Sequence, residues 1–553
     1  MIGMELNYWY KAEELQRFIA ESEEAQKKRK RFCYKSLMGF LLNRGKDICA
    51  LYGIRRTGKT VLMLQAMKDL LDTYHIPAEK IAYITIAEKN TLNDEKLVKS
   101  IDELSRQGVR YVFVDEISYI QMELEDNSLN LLADRMAKAG MKIVIAGTFS
   151  YALRLLAKET LFDRLQQIDT TYFSYKEAKE VFDQDLDTFI QYGGVINFEE
   201  DDKKVSPSDY METAVVQNIV QSIFKSDKKY ELLMTLPDAM RAGKLEKELK
   251  AVIARLIRIT LDKYMKLMVF GGLADKKVYR FSDVGNLVDM IRQRSEQEHL
   301  EEESLDILNL DKKKFYRILA ETLGNSEHVP EETFRMIIKI FEEIGIKKEI
   351  YLEEGTVSVF IPNYLRYGLC DRIMKMIGER VREETNRRYD AELAGENLKR
   401  VIQEAVCYLD LKAANSFDFD MYRSADGSCE IDLIIRDKKA GWMDLYELKH
   451  SSQTAIGQVK HLVNRELVRE VERELKCKAR NYYVLYNGVE TSVTYHPVDV
   501  FRDLEQKAMA LKKEFEARKW ERLAESAKVQ AWEPVEVFYR NMEQFLCGLE
   551  IVR

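Results

Sequence analysis

Between residues 47 and 146, short apolar runs alternate with segments in which apolar residues recur at helical spacing. The predicted strands are Ile48–Tyr52, Ile81–Ala87, Tyr111–Val114 and Lys142–Ala146. The predicted helices are Thr60–Leu71, a segment around Asn93–Gln107 and another at about Ser128–Ala139. Fully apolar strands separated by helices are typical of a parallel sheet covered on both faces. This part of the chain is therefore predicted to be an α/β domain.

The flanking regions are predominantly helical in pattern. Residues 1–40 are predicted to be helix that ends in the basic run Lys27–Arg31, for which a solvated face is expected and phosphate contact is the alternative. After Pro207, helix-period segments continue to about Glu343. Near their end, two strand-like runs flank a Glu-Glu-Gly turn at residues 353–355, which predicts a hairpin. With the preceding helix Glu331–Glu343, the hairpin predicts a unit of winged-helix type.

A second strand-rich block lies closer to the C-terminus. The helical stretch Glu392–Leu409 leads into it, and its strands run from Phe417 to about Val493. The remaining tail, Val500–Arg553, is highly charged and is predicted to be helical. The chain is thus expected to be an α/β multidomain protein.

Composition narrows the class of protein. Of the 553 residues, 46% are apolar and 32% charged, and this length suits three or four domains. The net charge of −7 argues against indiscriminate coating of nucleic acid but allows a local basic surface. Scattered cysteines and histidines oppose a disulfide framework or a zinc site. Because neither a signal peptide nor an apolar run of about 18 residues is visible, we expect a cytoplasmic protein without membrane contact.

A phosphate-binding motif follows the first predicted strand. Residues 53–60 match G-x-x-x-x-G-K-[ST] between a strand and a helix, where backbone N–H groups and the helix N-terminus bind phosphates. Lys59 is expected to reach the β and γ oxygens of ATP, and the Thr60 hydroxyl to ligate Mg²⁺. The predicted nucleotide-binding residues are Gly53, Ile54, Arg55, Arg56, Thr57, Gly58, Lys59, Thr60, Val61, Asp115 and Thr148.

Acidic and hydroxyl side chains end two later strands. Tyr111–Val114 is followed by Asp115, expected beside the metal, and by Glu116, expected to act on the attacking water as a general base. The fourth strand is followed by Thr148 and Ser150, either of which could orient that water or read the γ-phosphate. Structural capping is the alternative role of both hydroxyls.

Two carboxylates and a lysine are predicted to meet in the C-terminal block. Asp432 lies in one apolar strand, and Glu447 and Lys449 lie in the next, after a turn at residues 438–441. Period-2 alternation puts Glu447 and Lys449 on one face, and Asp432 can lie opposite them. Two carboxylates sharing a divalent metal beside a lysine can activate water against a phosphodiester. The alternative is a charged strand pair that faces water.

The motifs together resemble those of AAA-type ATPases that carry a C-terminal DUF4143-like domain. The resemblance rests on Gly53–Thr60, Asp115-Glu116 and Gly147–Ser150, and it continues through residues 161–164, 172–177 and 192–194. It implies that Arg164 is an arginine finger supplied to a neighbouring subunit, although Asp163 replaces the family's glycine. A surface arginine that forms salt bridges is the alternative. The resemblance also implies a homo-oligomer, with a hexameric ring as the expected form.

The C-terminal spacing resembles the PD-(D/E)xK nuclease core. Asp432 matches its first acid, and Glu447-x-Lys449 matches its E-x-K. The resemblance implies a Mg²⁺ or Mn²⁺ site with DNA as partner. An upstream helical acid is expected as a further ligand, and Glu396 is preferred to Glu404 because Gly395–Leu398 matches the family's Glu-Asn-Leu. Gln458 is expected to turn toward this site.

The winged-helix segment also matches the family. Its exposed basic residues could contact DNA phosphates, although acidic residues share the same helix and a purely structural role is the alternative. These basic residues are Arg335, Lys339, Lys347 and Lys348.

The predicted organisation has five parts. These are a helical lead (1–40), an AAA-type ATPase domain with a parallel sheet (41–205), a helical and winged-helix region (206–380), an α/β restriction-endonuclease-like domain (381–499) and a helical tail (500–553). The expected function is that of an ATP-hydrolysing, DNA-associated oligomer with a nuclease-like domain. The alternatives are a signalling ATPase whose C-terminal domain binds protein, and a DNA-binding ATPase whose nuclease fold is inert.

Overall fold

The structure is a computed structural model of the whole chain. The residues it describes are 9–43, 45, 47–54, 56–86, 94–117, 141–147, 165–194, 216–224, 228–270, 329–343, 345–352, 355–360, 363–369, 372, 379, 406–407, 409–414, 418–424, 429–511 and 513–550. Among these residues, no helix is long and apolar enough to cross a membrane.

A six-stranded sheet forms the N-terminal part, in the order β1-β3-β4-β5-β2-β6. The strands are β1 (Trp9–Lys11), β2 (Ile48–Tyr52), β3 (Ile81–Thr85), β4 (Tyr111–Asp115), β5 (Lys142–Gly147) and β6 (Leu165–Asp169). Strands β2 to β6 are parallel, and β1 pairs antiparallel with β3. The four predicted strands and their parallel arrangement are confirmed.

Helices cover both faces of this sheet. They are α1 (Ala12–Glu21), α2 (Glu23–Gln26), α3 (Tyr34–Leu42), α4 (Lys59–Asp72) and α5 (Asp94–Arg106). Side chains of α1, α3 and α4 form one core with the sheet, and α5 contributes to the core on the opposite face. The helix predicted at 128–139 lies outside the described residues.

The N-terminal lead differs from its prediction as continuous helix. Strand β1 opens the described chain and pairs along the sheet edge, with Tyr10 opposite Tyr83. Residues 27–33, which include the basic run, lie between helices α2 and α3. Helical periodicity alone did not reveal the strand, because an edge strand of three residues is too short to show alternation.

Helices and one hairpin make up the described middle region. The helices are α6 (Tyr175–Phe182), α7 (Leu186–Tyr192), α8 (Gln217–Phe224), α9 (Lys228–Met234), α10 (Asp238–Arg241), α11 (Glu246–Phe270) and α12 (Glu331–Glu343). Strands β7 (Lys347–Leu352) and β8 (Gly355–Phe360) form the hairpin, with Leu352 opposite Gly355. The helix-and-hairpin pattern predicted here is confirmed.

A second six-stranded sheet forms the C-terminal part, in the order β13-β14-β12-β11-β10-β9. Its strands are β9 (Asp418–Arg423), β10 (Glu430–Asp437), β11 (Trp442–Leu448), β12 (Lys478–Tyr486), β13 (Thr491–Tyr495) and β14 (Val535–Asn541). Strands β9, β10 and β11 are antiparallel, whereas β12 runs parallel to β11 and β14 parallel to β12. Its helices are α13 (Arg465–Leu475), α14 (Pro497–Ala510), α15 (Glu514–Val529) and α16 (Met542–Gly548).

The last fifty residues are not a separate helical tail, as the sequence had predicted. Strand β14 lies between β12 and β13, and helices α14 and α15 pack on the sheet with α13. Its inward side chains, Val535, Val537 and Tyr539, are buried. Residues after 500 therefore complete the C-terminal domain.

Helices α6 and α7 join the two sheet domains. Tyr175 and Phe189 are buried in one core with Tyr446, Tyr483 and Met542 of the C-terminal domain. The backbone N–H of Tyr175 also donates to Asp410, at 2.9 Å. The N-terminal and C-terminal domains are thus connected by packed helices.

Candidate functional site

The phosphate-binding loop lies between β2 and α4. Gly53 and Gly58 have φ values of 155° and 85°, in the range that favours glycine. A Cβ added to Gly53 would lie 2.4 Å from the Thr170 hydroxyl at the end of β6. That hydroxyl is also 2.8 Å from the Thr57 hydroxyl. The loop therefore packs so closely on β6 that only glycine fits at residue 53.

Lys59 is held against this loop. Its Nζ donates to the carbonyl oxygens of Gly53 and Ile54, both at 2.8 Å. The ammonium therefore lies inside the loop whose N–H groups and helix N-terminus can receive phosphates. Arg56 is exposed with φ 62°, and Val61 follows in the first turn of α4.

Asp115 at the end of β4 meets the start of α4. Its Oδ2 accepts from the Thr60 hydroxyl at 2.7 Å and from the Tyr83 hydroxyl at 3.1 Å. Burial raises the pKa of Asp115, although these hydrogen bonds oppose the shift. A hydroxyl and a carboxylate at this separation are a fitting pair of oxygen donors for Mg²⁺. Thr60 and Asp115 are therefore the residues that would hold the ion.

Glu116 follows Asp115 in a strained conformation. Its φ is 56°, which is uncommon for a residue other than glycine, and its N–H donates to Asp115 Oδ1 at 2.9 Å. Such strain is found preferentially where a side chain is held for function. The structure places Glu116 at the carboxyl edge of the sheet, beside the phosphate loop.

Arg31 connects the loop to the helices that follow β6. The side chain is buried, and its guanidinium forms two hydrogen bonds with Glu177, at 2.9 and 3.2 Å. It also donates to the carbonyl oxygens of Thr57 and Thr170, both at 2.7 Å, and of Tyr172, at 2.8 Å. Burial lowers the pKa of Arg31, but the charge of Glu177 outweighs it and the net shift is upward. The solvated face expected for the basic run is thus wrong at Arg31, although Lys28 and Arg29 are exposed.

Several predicted site residues lie outside the described residues. They are Arg55, Thr148, Ser150, Arg164, Glu396 and Glu404.

The predicted carboxylate–lysine site comes together on β10 and β11. Lys449 Nζ is 2.7 Å from Glu447 Oε2 and 3.2 Å from Asp432 Oδ2. Because both oxygens lie this close to one nitrogen, they are separated by at most about 6 Å. That separation allows the two carboxylates to share a metal ion.

A β-bulge positions Asp432. Ile431 pairs with Tyr422 and Ile434 with Asp420, so the two residues between them face a single residue of β9. Bulges redirect side chains and are common beside functional sites. The Asp432 carboxylate also accepts from the Leu448 N–H at 2.8 Å, which fixes it across the strand pair.

Glu447 is almost completely buried and has a second partner that the sequence analysis missed. His461 Nδ1 is 3.0 Å from Glu447 Oε1. Burial opposes ionisation of Glu447, but the Lys449 ammonium and the hydrogen bonds from Lys449 and His461 outweigh it and lower the pKa to about 2. Burial lowers the pKa of His461. We therefore describe an ionised Glu447 held by a lysine and a neutral imidazole.

Gln458 serves the local backbone instead of this centre. Its amide accepts from the Ala455 N–H and donates to the Gln453 carbonyl, at 3.0 and 2.9 Å. Within the described part of the chain, no group of three or more His, Cys, Asp or Glu side chains could hold a metal ion. Asp432 and Glu447 would therefore bind an ion with help from water or substrate oxygens, as Mg²⁺ sites commonly do.

Basic residues of the winged-helix candidate are paired with acids. Arg335 is 3.2 Å from Glu331, Lys339 is 4.0 Å from Glu343, and Lys347 also pairs with Glu342. These short-range pairs reduce the positive field of the helix. The arrangement favours a structural role over phosphate contact.

Residues 45–179 match the family described as AAA domain. The chain carries an AAA-type P-loop ATPase domain. No curated protein matches the sequence.

Three solved structures illustrate the fold-level likeness. The ORC2 protein of Aeropyrum pernix in ADPNP–ADP complexes is 11% identical, over 66% of this chain and 99% of its own, with a TM-score of 0.29. The ORC1 protein of Aeropyrum pernix in complex with DNA is 12% identical, over 67% and 97%, with a TM-score of 0.23. Hsp104 of S. cerevisiae in its extended casein complex is 12% identical, over 57% and 48%, with a TM-score of 0.25.

Proposed function

We propose that the ATPase domain binds ATP with Mg²⁺ and hydrolyses it, and that the C-terminal domain engages DNA. The hydrogen bond between Thr60 and Asp115 is the observation that carries the first part. It joins the P-loop helix to the acidic strand, two motifs separated by more than fifty residues. This is where a metal-bound triphosphate requires oxygen donors.

The residues around this pair have separate roles in the proposed reaction. Lys59 stabilises the β and γ phosphate oxygens, and the loop N–H groups bind the remaining phosphate charge. Glu116 accepts a proton from the attacking water. Mg²⁺, when bound to Thr60 and Asp115, supplies charge neutralisation at the phosphates.

Two variants test this site. Lys59→Ala should weaken nucleotide binding, whereas Glu116→Gln should retain ATP and turn it over at least about a hundredfold more slowly. Glu79→Gln, an exposed residue of the same domain, is the matched control. Near-wild-type ATP hydrolysis in both site variants would remove the proposal.

The packing supports communication between the ATPase and the C-terminal domain. Arg31 binds the P-loop carbonyl of Thr57 and the Glu177 carboxylate of α6. Helix α6 in turn contacts the C-terminal domain, since Lys176 donates to the Leu549 carbonyl at 2.9 Å. A change in the P-loop can therefore reach the C-terminal domain through one buried side chain and one helix.

DNA is proposed as partner on the basis of the Asp432–Glu447–Lys449 centre. Its antiparallel β9-β10-β11 strands followed by a parallel β12 place two carboxylates and a lysine at one sheet edge. Asp432 and Glu447 can hold Mg²⁺ or Mn²⁺, which would polarise a phosphodiester and its attacking water. Lys449 can offset negative charge that develops on the phosphate.

Cleavage of DNA provides the test of this centre. Asp432→Ala or Lys449→Ala should abolish metal-dependent cleavage and leave ATP hydrolysis intact, because the two centres lie in separate domains. Glu536→Ala, exposed on β14, is the control. Single-stranded, duplex and branched DNA should each be assayed with ATP and with either metal.

A DNA-binding domain without cleavage is the second candidate. It is favoured by Glu447, whose two oxygens are already engaged by Lys449 and His461. DNA-stimulated ATP turnover without strand scission would support it. A lack of both DNA binding and stimulation would instead favour a signalling ATPase whose C-terminal domain binds protein.

We further propose that the protein assembles into a homo-oligomer, a hexameric ring, in which Arg164 reaches the γ-phosphate of a neighbouring subunit. Support for this comes from the AAA-type domain and from the position of Arg164 directly before β6 in the sequence.

A further inference from the structure

Lysines from three separate elements surround Glu447. Lys449 follows β11, Lys460 follows the short 3-10 helix Ile456–Val459, and Lys519 belongs to α15. The charges acting on Lys460 include those of Glu447, Lys449 and Lys519. The C-terminal helices thus bring a cation to a centre located about seventy residues earlier in the chain.

Aromatic packing fixes the position of Lys519. Its neighbour Trp520 is buried and stacks on Phe501 of α14, with ring centroids 6.1 Å apart. Lys460 Nζ lies 6.0 Å from the centre of the same indole. Lys519 Nζ is 3.8 Å from the sulfur of Cys429, which precedes β10. One buried tryptophan therefore holds both cations at the edge of the carboxylate site.

The charges in this cluster do not balance. Lys449 is paired with Asp432 and Glu447, as described above. Lys460 forms no hydrogen bond or ion pair within the residues that the structure describes; its recorded contact is with Trp520. Burial lowers its pKa, and Lys449 and Lys519 add to that effect. Two carboxylates against three lysines leave a net positive charge, which an anion would stabilise.

We propose that Lys460 and Lys519 form a phosphate-binding subsite that takes a phosphodiester of the DNA strand whose neighbouring phosphate lies at Asp432, Glu447 and Lys449. The inference rests on the proposed engagement of DNA. Lysine suits this role because its ammonium binds phosphate as a point charge without demanding one geometry. Cys429, beside Lys519, lies three residues before Asp432, about 10 Å along an extended strand. This distance corresponds to a few successive phosphates of one DNA strand.

Binding of labelled DNA without metal or ATP tests the subsite. Fluorescence anisotropy of full-length protein with 30-nucleotide single-stranded and duplex DNA in EDTA excludes both cleavage and turnover. The variants are Lys460→Gln, Lys519→Gln and their combination. Lys528→Gln is the matched control, because it is exposed on the same helix, nine residues from Lys519 and so on the opposite side.

Loss of each phosphate contact should weaken binding irrespective of sequence. We expect about a threefold to tenfold rise in Kd for each single variant, and a fall of about one in the slope of log K against log salt. The Lys528→Gln protein should bind as wild type does. Circular dichroism melting and ATP turnover, both unchanged in all variants, would show that the proteins remain folded.

Two results would overturn the inference and are distinguishable. If wild type binds DNA and the Lys460 and Lys519 variants bind equally well with the same salt slope, the subsite is wrong and DNA engagement stands. If wild type binds neither DNA form at low salt, DNA engagement and the subsite are both wrong. A Kd raised for the mononucleotide ATP but not for DNA would also overturn it, since the ligand would then not be a polynucleotide.

Discussion

Truncation of Arg31 should open the connection between the P-loop and helix α6. In Arg31→Ala, the buried Glu177 carboxylate loses its cationic partner and keeps the N–H of Phe32, at 2.9 Å. Three backbone carbonyls, those of Thr57, Thr170 and Tyr172, lose their donor as well. The perturbation is therefore an unpaired buried charge together with unsatisfied backbone oxygens.

The magnitude follows from that environment. Removal of one partner of a buried ion pair costs about 3–5 kcal/mol. Each backbone carbonyl left without its donor can add about 1 kcal/mol, although such contributions are not additive. We take about 4 kcal/mol as the minimum, which is a large part of the roughly 5–15 kcal/mol that stabilises a typical domain. Glu177→Gln should cost less, because the amide retains the shape and one acceptor.

Hydrogen exchange provides a local readout in the full chain. If the segment opens by about 4 kcal/mol less free energy, amides in peptides covering residues 53–60 and 172–182 should exchange about a thousandfold faster. Arg29→Ala is the matched control, an exposed arginine two positions away. Arg31→Met combined with Glu177→Met should exchange more slowly than Arg31→Ala, because neither buried charge remains.

The reasoning fails if Arg31→Ala exchanges within tenfold of Arg29→Ala in these peptides. It also fails if the double variant is as destabilised as the sum of its single variants, since the two side chains would then not be coupled.

Three further predictions follow from the same structure. Gly53→Ala should abolish nucleotide binding in a filter or calorimetric assay because its Cβ would lie 2.4 Å from a threonine hydroxyl, whereas Gly45→Ala, with φ 139° and open space around it, should bind normally. Val537→Asp should unfold the C-terminal sheet, seen as lost circular dichroism or insolubility, while exposed Glu536→Lys should not; equal solubility of both would contradict the central place of β14. ATP should favour an oligomer in light scattering at micromolar protein, and Arg164→Ala should slow turnover about 10³-fold without loss of ATP binding; a monomer in every condition would refute the ring.

Local patterns were sufficient for the N-terminal site. Strand Ile48–Tyr52, the glycine loop and the acids after Tyr111 are each encoded within a few residues, and the sheet places them together because parallel strands present their carboxyl ends at one edge. Asp432, Glu447 and Lys449 were also accessible, since alternation and a short turn define an antiparallel pair. A motif of this kind carries its own geometry.

Other features depend on residues that are distant in sequence. Arg31 resembles the exposed arginine beside it, and only its contact with Glu177, 146 positions later, distinguishes the two. His461 and Lys460 lack any local motif, and their roles arise from burial beside Glu447. The helical pattern of the tail concealed β14, whose partners β12 and β13 precede it by forty residues or more.

The sequence by itself determined the ATPase motif, the parallel sheet that carries it and the strand pair of the second centre, because hydrophobic period and backbone chemistry act over a few residues. Only the tertiary structure decided which lysines and histidine surround Glu447, and which arginine of the basic run is buried. The physical reason is that desolvation and charge pairing depend on neighbours in space. Whether a side chain keeps its water or exchanges it for a carboxylate is fixed only when the distant elements pack.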